Sequence, residues 1–451
     1  MRFSLLILAL TSLLGVLAKQ PTAHYRDLPT LRKQDELEKA WVQKRYELIP
    51  SILKKYGYDA WILSMREYAE DTAFRALVSS TTTFSARRRT LFMFHTDPSV
   101  PSPFHYVELK EELWEALNET LHKVDPKKIA VNIDEDMAFS DGLHTGEGRL
   151  LLSKLGPYAD RVSSERGIGV ETVAARVGGE EQLSMYKLMM ENVWAMVQEG
   201  FSERAVEVGK TTAEDLEWWF RDVMRWRFGT GTWFPPTVNI YRSPAEPSAE
   251  EDPYMRPGDL LHVDIGITAM GMNTDTQHLG YILRHNETSP PASLIKGLHD
   301  ANKLQDFVRK QMVPGRTGDE VFAKVSADME KAGLKGRIYS HPIGDYGHSA
   351  GAIIGMANNQ GPISGGGQNK VLENYWTSVE LAGVTYIPEW GIEQAFELEE
   401  DVYWDEKTKT FEWVFGQQTE IHLVKPKYSH KKHSWLTLAA GKLGWEVVKW
   451  Q

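Results

Sequence analysis

Two alternating apolar segments that each carry an aspartate restrict the fold of this chain more than any other feature. Residues 262–268 read His-Val-Asp-Ile-Gly-Ile-Thr, and residues 272–283 alternate in the same way. Alternation of apolar and polar side chains is typical of strands that bury one face, and the short link between the segments suits a turn. We therefore predict an antiparallel hairpin whose loop is centred between Ala269 and Met270.

The two aspartates are expected to face each other across this hairpin. Pairing about that loop centre places Asp264 opposite Asp275, with β-carbons about 5 Å apart. Two carboxylates at that distance repel each other unless a proton or a cation lies between them. The pair therefore predicts a site for a divalent metal ion, and the alternative is that one aspartate points to solvent at a strand edge.

Further side chains of the same chemistry follow downstream. Residues 340–351 carry His341 and His348 in a glycine-rich setting, where glycines allow close backbone approach around both imidazoles. Glu380 and Glu420 each stand inside a short apolar run that reads as a strand. Because a buried carboxylate is costly without a cation or hydrogen-bond donors, both glutamates are candidates for the same site.

Composition limits the classes of protein to which the chain can belong. A length of 451 residues, 42% of them hydrophobic, exceeds the usual size of a single core, so two domains are expected. A net charge of -11 argues against nucleic acid or an anionic membrane as the main partner, since either favours a basic face. The chain has no cysteine, which excludes disulfides, thiol nucleophiles and cysteine-based zinc sites.

The order of patterns along the chain predicts its domains. Residues 28–165 alternate strand-like runs with helical stretches such as residues 36–55, which indicates a small α/β domain. An amphipathic helical pattern over residues 180–199 then opens a second domain, which we assign to residues 180–426. Residues 427–451 are expected to be a C-terminal tail, and we assign no function to the basic stretch Lys425–His433.

The amino terminus has the pattern of a secretory signal peptide. Residues 1–18 combine a positive start, an apolar run over Leu5–Leu17 and a small-residue cleavage site. A retained membrane anchor is the alternative, but the run is shorter than the roughly 20 residues that span a bilayer. We expect a secreted protein, and sequons at Asn118 and Asn286 agree with that route but carry little weight.

A short internal repeat suggests two similar halves in the second domain. Residues 209–214 and 315–320 share the order Gly, base, Thr, two residues, Glu, and each precedes an amphipathic stretch. In both copies the threonine and the glutamate predict a capping box at a helix start. The repeat indicates a pseudo-twofold arrangement, although so short a match also arises by chance.

The set Asp, Asp eleven residues later, His, Glu and Glu resembles the five-ligand signature of the "pita-bread" metallopeptidases of family M24. That family contains methionine aminopeptidase, aminopeptidase P and prolidase, and residues 30–165 resemble the creatinase-type amino-terminal domain of its longer members. The resemblance implies an α/β (α+β) fold, in which a small α/β domain precedes a pseudo-twofold domain with a curved, mainly antiparallel sheet. It also implies a homodimer.

The resemblance carries roles to individual positions. The implied metal ligands are Asp264, Asp275, His341, Glu380 and Glu420. Asp275 and Glu420 would bridge two divalent ions, with Mn favoured and Zn or Co as alternatives, and these would supply a bridging hydroxide that attacks the amide carbonyl. Glu380 would act as proton shuttle and His348 would contact the substrate.

These features predict a secreted two-metal peptidase that hydrolyses the amino-terminal amide bond of peptides, with Xaa-Pro substrates favoured. No nucleic acid partner is expected, and no membrane partner once the signal peptide is removed. Three alternatives stay open: another small-amide hydrolase, a non-catalytic member that binds a peptide or a protein partner, and a purely structural protein.

The chain departs from the family pattern at two places, and both concern specificity. Family peptidases commonly have a substrate-contacting histidine upstream of the first aspartate, but residues 239–243 contain none. Many prolidase-type relatives also have an arginine two residues before the last glutamate, where this chain has Gln418. The choice between dipeptides and longer peptides therefore stays open.

Overall fold

The computed structural model describes residues 20–426, so the expected signal peptide and residues 427–451 lie outside the described residues. Within that part of the chain, no helix is both long enough and apolar enough to cross a membrane. The strands form a five-stranded sheet, a nine-stranded sheet and a two-stranded ribbon.

The five-stranded sheet occupies the amino-terminal part of the chain. Its elements are α1 (Leu31–Tyr56), β1 (Ala60–Arg66), β2 (Arg89–His95), β3 (Phe104–Val107), α2 (Glu112–Val124), β4 (Ile129–Val131), α3 (Thr145–Lys154), β5 (Val162–Ser164) and α4 (Arg166–Ala174). The strand order is β3-β2-β1-β4-β5, antiparallel on one side of β1 and parallel on the other. Strands β1 and β2 are buried almost throughout because helices such as α1 and α3 pack against them.

The nine-stranded sheet occupies the second part. Its elements, including the ribbon β8 and β9, are α5 (Gly179–Gly200), α6 (Ala213–Val223), β6 (Thr237–Tyr241), β7 (Leu260–Ile265), β8 (Thr268–Ala269), β9 (Met272–Asn273), β10 (Thr276–Ile282), α7 (Ala292–Gln311), α8 (Gly318–Lys331), β11 (Lys335–Ile338), β12 (His341–Ile343), β13 (Trp376–Ile387), β14 (Ile392–Asp405), β15 (Thr410–Trp413) and β16 (His422–Val424). Short 3-10 helices lie at Thr72–Leu77, Ala138–Ser140, Gly156–Arg161 and Gly366–Gln368, and a π-helical turn lies at Met224–Phe228.

The sheet runs β11-β13-β14-β10-β7-β6, with β12 on β13, β15 on β14 and β16 on β10. Every pairing in it is antiparallel except that of β10 with β16. Helix α7 packs on β13 and β14 and buries the apolar side chains of one face, so polar residues on the other face point away from it. The predicted mixed α/β fold with a mainly antiparallel sheet is confirmed.

The two predicted helix starts carry capping boxes, one of them displaced. Thr317 and Glu320 exchange hydrogen bonds at the start of α8, as predicted. The box at α6 lies one residue later than predicted, between Thr212 and Asp215. The displacement occurs because the hydroxyl of Thr211 already accepts from a backbone amide of the preceding turn.

The hairpin that carries the two aspartates is present, but its predicted register is wrong. Asp264 lies opposite Gln277, which displaces the pairing by two residues from the predicted partner Asp275. The turn is centred between Met270 and Gly271, whose φ angles of 53° and 67° are both left-handed. A two-residue turn of this kind follows the twist of the strands and favours glycine at its second position. Asp275 therefore lies diagonally from Asp264, on the same face.

A buried ion cluster joins the two parts of the chain next to the polar face. Asp345, in the loop after β12, accepts hydrogen bonds from Arg45 of α1 at 3.1 Å and from Arg176 at 2.5 Å. The next residue, Tyr346, donates to the carbonyl of Thr72 at 2.7 Å. The amino-terminal part therefore holds the loop between the two histidines singled out in the sequence.

Removal of the Asp345 charge is expected to destabilise the protein more than removal of an exposed charge. Asp345→Asn leaves two buried guanidinium groups without their counter-charge, and we expect a loss of about 3–5 kcal/mol in the free energy of unfolding. Glu393→Gln is the matched control, because Glu393 pairs with Lys335 at the surface and should change stability by less than about 1 kcal/mol. Urea unfolding measures both, and equal small losses would contradict the account.

Candidate metal centre

Four side chains lie side by side across the polar face of the nine-stranded sheet. Asp264 on β7 is opposite Gln277 on β10, and Gln277 is opposite Glu399 on β14. Glu399 is in turn opposite Glu380 on β13. Because opposite residues on neighbouring strands project to the same face, three carboxylates and one carboxamide form a continuous row.

A second row lies one pleat further along the same face. Asp275 is two residues from Gln277, and His341 on β12 is opposite the residue two before Glu380. The Nε2 atom of His341 lies 3.2 Å from Oε1 of Glu399, 3.6 Å from Oδ2 of Asp275 and 3.8 Å from Oε2 of Glu380. Antiparallel pairing therefore brings together residues that are far apart in sequence.

Two groups of three side chains have a geometry that could hold a metal ion. One consists of Asp275, His341 and Glu399, and the other consists of Asp264, Glu380 and Glu399. Within each group, one ligand atom per residue lies within 4.8 Å of the others. Glu399 belongs to both groups, so its carboxylate is placed between two neighbouring positions for a cation.

The residues present fit such ions. The Oδ1 atoms of Asp264 and Asp275 are buried and have no hydrogen-bond partner in the described part of the chain. An unpaired carboxylate oxygen in a buried site is costly, and a cation would satisfy it. Four carboxylates and one imidazole are the donors that suit Mn, Zn, Co or Fe in the divalent state.

The pKa shifts of these side chains also favour a bound cation. Burial, and then the charge of Glu399, raises the pKa of Asp264, Asp275 and Glu380 well above the usual carboxyl range. Burial alone would lower the pKa of His341, but its hydrogen bond to Glu399 and the charge of that residue raise it overall. The group of carboxylates is therefore unfavourable as a set of bare anions.

The structure does not bring the predicted ligand Glu420 to this site. Glu420 is exposed, and its backbone amide donates to the side chain of Gln20. The predicted strand over residues 418–421 is not formed, because β16 begins only at residue 422 and pairs with the far end of β10, at Gly280–Ile282. The expectation for Glu420 is wrong, whereas Asp264, Asp275, His341 and Glu380 do converge.

Glu399 takes the place that was expected for Glu420. It lies in β14 and is 1% exposed. Residues 396–401 read Phe-Glu-Leu-Glu-Glu-Asp, and the alternation of apolar and acidic residues could have indicated a strand with glutamates on one face. Because several acidic residues stand close together here, the sequence alone does not show which of them faces the site.

Because Glu399 converges on the site instead of Glu420, a different residue now corresponds to the arginine of prolidase-type relatives. The residue two before the converging glutamate is Glu397 and not Gln418, so the chain has an acidic residue where many prolidase-type relatives have an arginine. Glu397 accepts a hydrogen bond from the hydroxyl of Tyr241 at 2.8 Å. Gln418 instead pairs with both backbone groups of Leu279, which is a structural role.

His348 lies at the exposed edge of the centre. Its ring packs edge-on against His341, with centroids 4.4 Å apart, and against Trp233 at 5.1 Å. Partial burial and the charge of His341 lower the pKa of His348 to about 4, so its ring is neutral near pH 7. Trp233 approaches so closely that a β-carbon at Gly347 would lie 2.1 Å from its ring.

Comparison with known proteins agrees with the architecture. Residues 184–406 match the model of Metallopeptidase family M24. No curated protein sequence matches the chain at a significant level.

Solved structures extend the likeness over most of the chain. The X-Pro aminopeptidase of Thermotoga maritima has a TM-score of 0.57 at 18% identity, covering 82% of this chain and 98% of its own. The Xaa-Pro dipeptidase of Bacillus anthracis has a TM-score of 0.56 at 15% identity, covering 85% and 99%. The N-terminal domain of the FACT complex subunit SPT16 from chickpea (Cicer arietinum) has a TM-score of 0.54 at 14% identity, covering 88% and 99%.

At these identities the solved structures show a shared fold, and the family match identifies the chain. The match includes every residue of the two groups that could hold a metal ion. The part of this chain that carries the candidate centre, residues 184–406, belongs to metallopeptidase family M24, a family of metal-dependent hydrolases.

Proposed function

We propose that the protein is a secreted peptidase that uses two divalent cations to hydrolyse the amide bond at the amino-terminal end of peptides, with Xaa-Pro substrates favoured. The observation that carries the proposal is the sharing of Glu399 by two groups of three ligands. The signal-peptide pattern of residues 1–18 supports secretion.

The donor set supports two ions. Asp275 and His341 would hold one, Asp264 and Glu380 would hold the other, and Glu399 would bridge them. Such ions, Mn first and Zn or Co as alternatives, lower the pKa of water toward neutrality and polarise a carbonyl group. The bridging role that the resemblance gave to Glu420 is transferred to Glu399.

Glu380 is the candidate for proton transfer. Its Oε1 accepts a hydrogen bond from Gln277 at 2.5 Å, and its Oε2 lies 3.8 Å from Nε2 of His341. A carboxylate at the edge of the centre can take the proton of the attacking water and deliver it to the leaving nitrogen. In this proposal Glu380 completes both proton movements of amide hydrolysis.

His348 and Trp233 form the side of the centre on which a substrate would rest. His348 is exposed and neutral near pH 7, so its ring can exchange a hydrogen bond with a peptide group. Trp233 is half-buried beside it and offers an apolar wall that suits a prolyl ring. The names of the Thermotoga and Bacillus proteins support the preference for an Xaa-Pro bond.

Glu380→Gln is expected to reduce turnover by at least about 100-fold, because the amide cannot accept the proton of the attacking water. Hydrolysis of an Xaa-Pro peptide by the metal-loaded protein measures the effect, and Glu393→Gln at the surface is the control. Unchanged turnover in Glu380→Gln would remove this residue from the mechanism.

Glu399→Gln and Glu420→Gln should differ strongly in metal binding. Replacement of a residue that only hydrogen-bonds to a metal ligand commonly costs 10–100-fold in metal affinity, so loss of a bridging ligand should weaken Mn²⁺ binding by at least about 100-fold. Glu420→Gln should bind Mn²⁺ as the wild type does, since its side chain is exposed. Calorimetric titration compares the two, and weak binding in Glu420→Gln alone would contradict the assignment.

An assay against two substrate classes tests the activity itself. The purified mature chain with Mn, Zn or Co is expected to release the residue ahead of proline from Xaa-Pro dipeptides or from longer peptides that begin with Xaa-Pro. Cleavage of dipeptides alone would indicate a prolidase-type specificity. If neither class is cleaved while metal binding is confirmed, the protein is a peptide-binding member of the fold and the proposed function is wrong.

A further inference from the structure

We propose that Gln277 is a positioning residue that holds Glu380 and Glu399 at the separation required by a shared cation. The inference rests on the proposed function, because it concerns the group formed by Asp264, Glu380 and Glu399. Gln277 belongs to neither group of ligands, yet it stands in the same row across the sheet, between Asp264 and Glu399.

The carboxamide of Gln277 contacts both glutamates. Its Nε2 donates to Oε1 of Glu380 at 2.5 Å and to Oε2 of Glu399 at 3.0 Å. The two glutamates are directly opposite each other on β13 and β14, where like charges repel. A single NH₂ group that donates one hydrogen to each carboxylate offsets this repulsion and sets the distance between them.

Two further residues determine the orientation of the carboxamide. Nε2 of His262 lies 2.9 Å from Oε1 of Gln277, and Nδ1 of His262 lies 3.2 Å from Nδ2 of Asn239. Because the Asn239 amide donates to Nδ1, His262 carries its proton on Nε2 and donates it to Gln277. The chain of donors therefore runs from Asn239 through His262 and Gln277 to the two glutamates.

A neutral donor is suited to this position. A lysine would neutralise the glutamates with a fixed charge that competes with a cation, and an aspartate or glutamate would add to the repulsion. The carboxamide occupies only part of the acceptor capacity of each carboxylate, since every carboxylate oxygen has two lone pairs. Glu380 and Glu399 therefore keep acceptor positions for a metal ion.

The group formed by Asp275, His341 and Glu399 depends little on Gln277. The His341 ring contacts Glu399 through Oε1, whereas Gln277 contacts it through Oε2. The backbone amide of Asp275 donates to the carboxylate of Asp401, which also accepts from Tyr186. Loss of the carboxamide should therefore weaken one cation position and spare the other.

The test is a calorimetric titration of Mn²⁺ into metal-free wild-type protein and into Gln277→Met, which keeps the side-chain length and removes the donors. We expect two binding events in the wild type and a 10–100-fold weaker second event in the variant. We also expect kcat to fall while KM changes little, because the substrate contacts are retained. Gln417→Met is the matched control, since within residues 20–426 that carboxamide bonds to Asn302 and Gln305, neither of which belongs to a group that could hold a metal ion.

His262→Phe provides a second variant that removes the orienting donor and leaves Gln277 in place. A smaller weakening of the same second event is expected, and circular dichroism checks that each variant is folded. If Gln277→Met is folded and binds Mn²⁺ as tightly as the wild type or more tightly, the carboxamide does not position the ligands and the inference is overturned. If the wild type itself binds no Mn²⁺, the proposed function fails, and the inference fails with it.

Discussion

The centre of this protein depends on the repulsion between carboxylates that the sheet places on one face. Asp264, Asp275, Glu380 and Glu399 are partly or fully buried and lie within reach of one another. Backbone pairing holds them there, so they cannot separate to relieve the repulsion, and the raised pKa values of Asp264, Asp275 and Glu380 reflect this. A site of this kind is stable when positive charge enters it, which links the fold directly to metal binding.

The rest of the molecule keeps this arrangement in place. Helix α7 covers the apolar face of the strands, so the sheet cannot turn its acidic face inward. The buried cluster of Arg45, Arg176 and Asp345 holds the loop between His341 and His348 from the amino-terminal part. The amino-terminal part thus contributes to the geometry of the centre, although no candidate ligand lies within it.

Much of the fold could be predicted from the sequence, because hydrophobic periodicity reports local structure. The helix expected over residues 180–199 runs over Gly179–Gly200, and the hairpin that carries Asp264 forms. The register of that hairpin could not be predicted reliably, because it depends on which residues adopt left-handed φ angles. A shift of one residue in the turn centre moved the partner of Asp264 by two.

The prediction that Glu420 converges on the site failed for a related reason. Glu420 precedes an apolar run and Glu399 lies in an alternation of apolar and acidic residues, and order along the chain does not distinguish them. Only the pairing of β14 with β10 and β13 shows that Glu399 lies in the row of carboxylates. Gln277 is not indicated by the sequence for another reason, since a neutral side chain gives no sign that it lies between charged ones. Tertiary contacts decide such positions, and local patterns do not report them.

Anomalous diffraction from crystals grown with Mn²⁺ would locate bound metal ions in this centre. Two manganese peaks roughly 3.5–4 Å apart are expected, with the carboxylate of Glu399 bound to both. His341 should bind one of these ions and Glu380 the other. Absence of both peaks at saturating Mn²⁺, or peaks located away from Glu399, would show that these carboxylates do not form a shared metal site.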